Sequence, residues 1–111
     1  MTAVLLRSAP AGREGLPADP VAVFRALSDP LRWQLLGHLC RRTEMPRAEL
    51  ERALGVSKTM LSYHTRALLQ AGLIDVRGSA RALTYAVRRD AVADLEQWLD
   101  DPRSAAASGE A

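Results

Sequence analysis

Residues 57–66 read Ser-Lys-Thr-Met-Leu-Ser-Tyr-His-Thr-Arg. Thr59, Ser62, Tyr63 and Arg66 stand at i, i+3, i+4 and i+7, so in a helix they share one face. Two hydroxyls, a phenol and a guanidinium on one face, with Ser57 and Lys58 at its start, are groups that bond phosphate oxygens and base edges in a major groove. A little further on, Arg77 and Arg81 flank Gly78-Ser79. Two arginines at a hairpin tip suit phosphate or minor-groove contact. The plainer reading of such a helix face is a solvated surface, and the arginine-bearing hairpin beside it weighs against that reading.

Charge is distributed to match. The net charge of the 111 residues is only +2. Between Arg41 and Arg89, however, ten Lys/Arg stand against four Asp/Glu, and between Asp90 and Asp101 there are five acids and no base. The basic stretch can face a polyanion, and the acidic one then has to face away from it.

The elements that must position these groups follow from punctuation and period. Asp19-Pro20 and Asp29-Pro30 each give a cap followed by proline at the first helical position. They predict helices over 20–28, with Val21, Phe24 and Leu27 on one face, and over 30–41, with Leu31, Leu35, Leu36 and Leu39. Pro46 opens a short helix to 54, ended by Gly55. Ser57 caps a fourth helix over 57–71, with Leu61, Leu68 and Leu69 inward and Gly72 as its stop. The period then changes from helical to alternating. Ile74 and Val76, then Leu83, Tyr85 and Val87, form a two-stranded hairpin with Gly78-Ser79 between the strands. Asp90 caps a last helix over 90–101 that carries Val92, Leu95, Trp98 and Leu99. Only Gly55-Val56 separates the third and fourth helices, which is the spacing of a helix-turn-helix. The fold class expected is mainly α: five helices with a two-stranded β-hairpin wing. Residues 1–18 read as a flexible arm, 19–101 as the winged helix-turn-helix and dimerisation domain, and 102–111 as a flexible tail.

The phrases ALSDPLR (26–32), GVS (55–57), LSYH (61–64), AGLI (71–74) and TYAV (84–87) together resemble the winged helix-turn-helix repressors of the ArsR family over about residues 20–100. The resemblance implies a homodimeric transcriptional regulator that binds an imperfect palindrome and, in many members, leaves DNA when a metal ion or another small signal binds. Two familiar metal sites of the family do not carry over. The helix before the recognition helix, residues 46–54, has no Cys-x-Cys, and the last helix has Asp90, Asp94, Glu96, Asp100 and Asp101 but no histidine.

Cysteine and histidine set the remaining options. The single cysteine, Cys40, rules out an intramolecular disulfide and any site built from several thiolates in one chain, and fits a reducing, cytoplasmic setting. Cys40 shares a helix face with Trp33 and reads first as a small apolar packing residue. A redox-sensing thiol beside Arg41 and Arg42 is its alternative role. A metal, if one binds, would take oxygen and imidazole ligands, which suits nickel or zinc. His38, His64, Asp90, Asp94 and Asp101 are the candidate ligands. A small organic effector, or none, is the other option.

Composition limits the classes further. The chain is 48% hydrophobic, 25% charged and only 5% aromatic, as for a small globular domain with an aliphatic core. The apolar run Ala3–Leu6 is too short for a signal-peptide core or a membrane span. No phosphate-binding glycine loop, metalloprotease helix or nucleophile–base pair is present, so an enzyme is not expected. The stripes Val21, Phe24, Leu27 and Val92, Leu95, Trp98, Leu99 lie at the two ends of so small a domain, and pairing them about a two-fold axis predicts a homodimer. The competing class is a protein-interaction module using the acidic last helix. A corepressor protein as a further partner would reconcile it with DNA binding.

Overall fold

Two Asp-Pro steps begin the helical part of the chain. In the computed structural model, which describes residues 19–104, Asp19 accepts from the Ala22 amide at 3.3 Å and opens α1 (Pro20–Leu27). Asp29 Oδ1 accepts from the amides of Leu31 and Arg32, at 2.8 and 3.2 Å, and opens α2 (Pro30–Arg42). Each proline falls where a helix has no use for an amide donor. The chain continues through β1 (Glu44–Pro46), α3 (Arg47–Leu54), α4 (Lys58–Gln70), β2 (Ile74–Ser79), β3 (Ala82–Val87) and α5 (Arg89–Asp100). The fold is a winged helix-turn-helix, mainly helical with a small antiparallel sheet.

The expected helices form within one or two residues of their predicted limits, but four details of the expectation are corrected. The sheet has three strands, in the order β1-β3-β2, because Met45 pairs with Tyr85 and brings Glu44–Pro46 to the free edge of β3. Pro46 therefore ends a strand and caps α3, rather than starting the helix. The hairpin turn is Ala80-Arg81, since Gly78 and Ser79 pair with Leu83 and Ala82 inside the ladder. Arg88 is the N-cap of α5; Asp90 lies in its first turn and bonds the Arg88 guanidinium at 3.2 Å. Ser104 N donates to the Asp101 carbonyl at 2.9 Å and closes a turn over 102–104. Residues 1–18 and the rest of the tail lie outside the described residues.

The core is aliphatic. Leu35, Leu39, Leu50, Leu61, Leu68 and Leu73 are fully buried, so α2, α3 and α4 meet on leucines, with Ile74, Tyr85 and Val87 of the sheet closing one side. Two junctions hold the pieces together. Gly55, at φ 66° and ψ 38°, turns the chain between α3 and α4 in a left-handed conformation that glycine adopts at no steric cost. Thr43 ends α2 at φ 77° and ψ −46°, a rare state for a β-branched residue. Its carbonyl accepts from the Val87 amide at 3.0 Å, and the Cys40 carbonyl accepts from Arg89 Nη2 at 2.7 Å. The end of α2 is thus stitched to the junction of β3 and α5.

Gly78 is the second glycine that the fold requires. Its φ is 101°, and a Cβ there would fall inside contact distance of the Ala82 carbonyl oxygen. Gly78→Ala is therefore expected to cost about 1–3 kcal/mol from backbone strain alone. Urea unfolding checks this, and a loss below half a kilocalorie (roughly the scatter of neutral surface changes) contradicts the backbone conformation at Gly78.

Candidate nucleic-acid interface

Ser57 caps α4 through a bond to its Oγ from the Met60 amide at 3.1 Å. From that start Lys58, Thr59, Ser62, Tyr63 and Arg66 all emerge exposed, while Leu61, His64, Thr65 and Leu68 turn inward. The predicted division of this helix into a polar and an apolar face is the division observed. Val56 is half-buried against the core and fills the angle between α3 and α4. Thr65 donates to the Ser62 carbonyl at 3.1 Å and lies 3.4 Å from the Tyr85 hydroxyl, which ties the inner face of α4 to β3.

Arg32, which sequence reasoning did not single out, is the brace of this face. From the first turn of α2 its Nε donates to His64 Nδ1 at 3.1 Å, and its guanidinium carbon stands 5.6 Å from the Tyr63 ring centre. The Tyr63 ring meets His64 edge-on at 5.0 Å between centroids. Tyr63 stays 62% exposed, so the brace orients its phenol without burying it. Because Nδ1 of His64 accepts from Arg32, the proton of the neutral ring belongs on Nε2. Asp29 Oδ1 is 3.9 Å from the same Nδ1. Burial pushes the Asp29 carboxyl up. The amides of Arg32 and Leu31, with the adjacent Arg32 guanidinium, outweigh that and hold it below the ordinary 3.8.

The two wing arginines are placed differently. Arg81 sits exposed in the turn itself. Arg77 is on β2 and forms an ion pair with Glu44 of β1. Arg47, also missed from sequence, donates to the Ala80 carbonyl at 3.4 Å and pairs with Glu51 at 3.4 Å, fastening the start of α3 to the wing turn. Both missed arginines act across more than thirty residues of chain, a separation no local pattern reports.

The candidate metal ligands are scattered. His64 is 5% exposed in the core side of α4. His38 is on α2, with Arg41 Nη2 at 3.3 Å from its Nδ1. Asp101 holds Arg103 at 3.1 Å and Asp90 holds Arg88. Asp94 lies mid-helix on α5. Among the described residues of one chain, no three His, Cys, Asp or Glu come together to hold an ion. The residues present thus do not fit nickel or zinc within a single subunit. Cys40 is half-buried against the core, the packing position expected of it.

Of the apolar residues at the two ends, Leu27 and Trp98 are covered within the single chain, at 6% and 7% exposure, and the Phe24 and Trp98 rings lie 6.3 Å apart. Val92 and Leu95 are partly buried against the core. Val21, Phe24 and Leu99 stay open, at 62%, 38% and 65%. The uncovered area is therefore smaller than the seven-residue set expected, and it lies on α1 and α5. Among the described residues no helix is long and apolar enough to cross a membrane.

Comparisons with known proteins agree with this geometry. Residues 27–77 match a helix-turn-helix domain family. A probable mercury resistance operon repressor from Streptomyces lividans is 35% identical over 79 residues, 71% of this chain, and the match spans 62% of that protein's length. An ArsR family transcriptional regulator of known crystal structure superposes with a TM-score of 0.64 at 26% identity, over 75% of this chain and 84% of that one. An ArsR-like transcriptional regulator from Rhodococcus sp. RHA1 gives 0.63 at 28% identity, over 83% and 92%. With the winged fold and the exposed polar face of α4 already in place, these matches make the chain similar in sequence and fold to helix-turn-helix transcriptional regulators of the ArsR type.

Proposed function

We propose that this protein is a cytoplasmic transcriptional repressor that binds a palindromic double-stranded operator as a homodimer. The observation that carries the reading is the exposed run Lys58, Thr59, Ser62, Tyr63 and Arg66 on a helix whose other face is buried, beside the exposed Arg81 of the wing turn. α4 enters the major groove, where Ser62, Tyr63, Arg66 and Thr59 meet base edges. Ser57, Lys58 and Arg81 meet the backbone. A dimer formed through Val21, Phe24 and Leu99 presents two such helices roughly 34–36 Å apart, one helical turn of DNA. The Streptomyces lividans relative, named as a repressor, supports repression as the sense of regulation.

A gel shift on the DNA upstream of the protein's own gene tests the reading. Arg66→Ala is expected to cost about 1–3 kcal/mol of discrimination between operator and mutated operator. Arg81→Ala should weaken all sequences alike and flatten the salt dependence, by about one phosphate contact. Unchanged binding to every DNA in both Arg66→Ala and Ser62→Ala would remove α4 from the groove. The second reading, a protein-interaction module, draws on the exposed acids Glu96 and Asp100 of α5. It predicts no shift of any upstream DNA.

No metal effector is assigned. The mercury in the relative's name is a soft ion that takes thiolates, and this chain supplies one, Cys40.

A further inference from the structure

A cleft of about 440 Å³ opens between the last turns of α2, β1 and the outer flank of α3. It is lined by His38, Arg41 and Arg42 of α2, Met45 of β1, and Glu49, Arg52 and Ala53 of α3. That volume is within the range of small-molecule sites. Its charge is what sets it apart. Three guanidiniums converge on the cleft against a single carboxylate, and that carboxylate is already held: Arg42 donates to both Glu49 oxygens, at 3.1 and 3.4 Å. The side-chain contact of Arg41 is the His38 imidazole, which brings no negative charge to the cleft. Arg52 reaches the cleft from the opposite helix and is exposed. Like charges gathered in one concavity repel one another, and an anion placed between them relieves that repulsion. Guanidiniums bind carboxylate and phosphate oxygens alike, with two parallel bonds each. Met45 and Ala53 offer the carbon skeleton of a ligand an apolar floor.

We propose that this cleft is an effector site for a small organic molecule carrying two or more anionic groups, carboxylate or phosphate. Arg41 grips it from α2 and Arg52 from α3. Its binding draws these two helices together. α3 also holds the wing turn through Arg47 and Ala80, so the occupied and empty states place Arg81 differently against DNA. A ligand shifts DNA affinity only by such unequal binding to two states. The coupling half of this inference rests on the DNA-binding reading above; the binding half does not.

The experiment has two arms. In the first, calorimetric titration of the DNA-free protein with citrate, succinate and pyrophosphate in turn, at constant ionic strength, is expected to show saturable binding of at least one. Arg41→Gln/Arg52→Gln should weaken that binding at least tenfold, whereas Lys58→Gln/Arg81→Gln leaves it intact. Circular dichroism and the melting temperature of each variant establish that it is folded. Saturable binding by none of the three, or binding that survives Arg41→Gln/Arg52→Gln, overturns the site. In the second arm, anisotropy with upstream DNA is expected to change severalfold when the bound anion is added to the original protein, and not in Arg41→Gln/Arg52→Gln. If that variant instead weakens DNA binding without any added anion and flattens its salt dependence, the cleft is a phosphate contact and the effector proposal fails. Failure of all DNA binding with the first arm intact would refute the repressor reading and leave the site standing.

Discussion

Val21→Asp/Leu99→Asp is expected to yield a folded monomer that has lost most of its operator affinity. The two side chains are 62% and 65% exposed, so a carboxylate at either place remains in water in the single chain and disturbs little of the core. In the proposed dimer the same positions would be buried against a second copy, where an unpaired charge is costly. Loss of the dimer severs the link between two recognition helices. That link multiplies affinity by about 10²–10⁴ when both half-sites are engaged. Sedimentation should show two chains for the unaltered protein and one for the variant, and operator binding should fall by at least a hundredfold (the lower end of that range). Binding to a single half-site should change little. A variant that stays dimeric at tens of micromolar (an ordinary range for specific association) places the interface elsewhere.

The largest effect on stability is expected at Leu61. It is fully buried on the inner face of α4, two residues from Thr59 and one from Ser62. Truncation to Ala removes methyl groups from a leucine cluster and leaves a cavity, costing about 2–5 kcal/mol. A small domain has about 5–15 kcal/mol in total. Leu61→Ala should therefore shift the urea midpoint strongly and, at a fixed protein concentration, loosen the helix that carries the proposed base-reading residues. Met60→Ala, its 47% exposed neighbour, serves as the control and should stay within about half a kilocalorie. Similar losses at both positions would mean that α4 is rotated from the orientation described.

The helices and the wing were readable because their signals are local. Asp-Pro steps, Ser57 as a cap, Gly55 and the change of period after Gly72 each act within a few residues. The polar face of α4 was readable for the same reason. β1 was not. Glu44–Pro46 buries only Met45, and three residues ending in proline carry no alternation to detect. That strand exists because β3 has a second edge to satisfy, which is a fact about residues 82–87 and not about 44–46. The same limit hid Arg32 and Arg47, whose partners His64 and Ala80 lie 32 and 33 positions away. It also overstated the free apolar surface. α1 and α5 each showed a stripe, and no periodicity reveals that Phe24 and Trp98 lie against one another.

The strand order β1-β3-β2 has a consequence for modularity. β3 is the central strand: it bonds both the short strand that leaves α2 and the strand that leaves α4. The Thr43 carbonyl, held in a rare backbone state, finds its donor only at Val87. A fragment ending at residue 77, the limit of the matched helix-turn-helix region, would lack β3 altogether. It would leave two unpaired strand edges and an unmet carbonyl at the end of α2. The hairpin is therefore no appendage that a helical core could shed or swing independently. It belongs to the same cooperative unit as the helices, and the smallest autonomous piece of this protein extends at least through Val87.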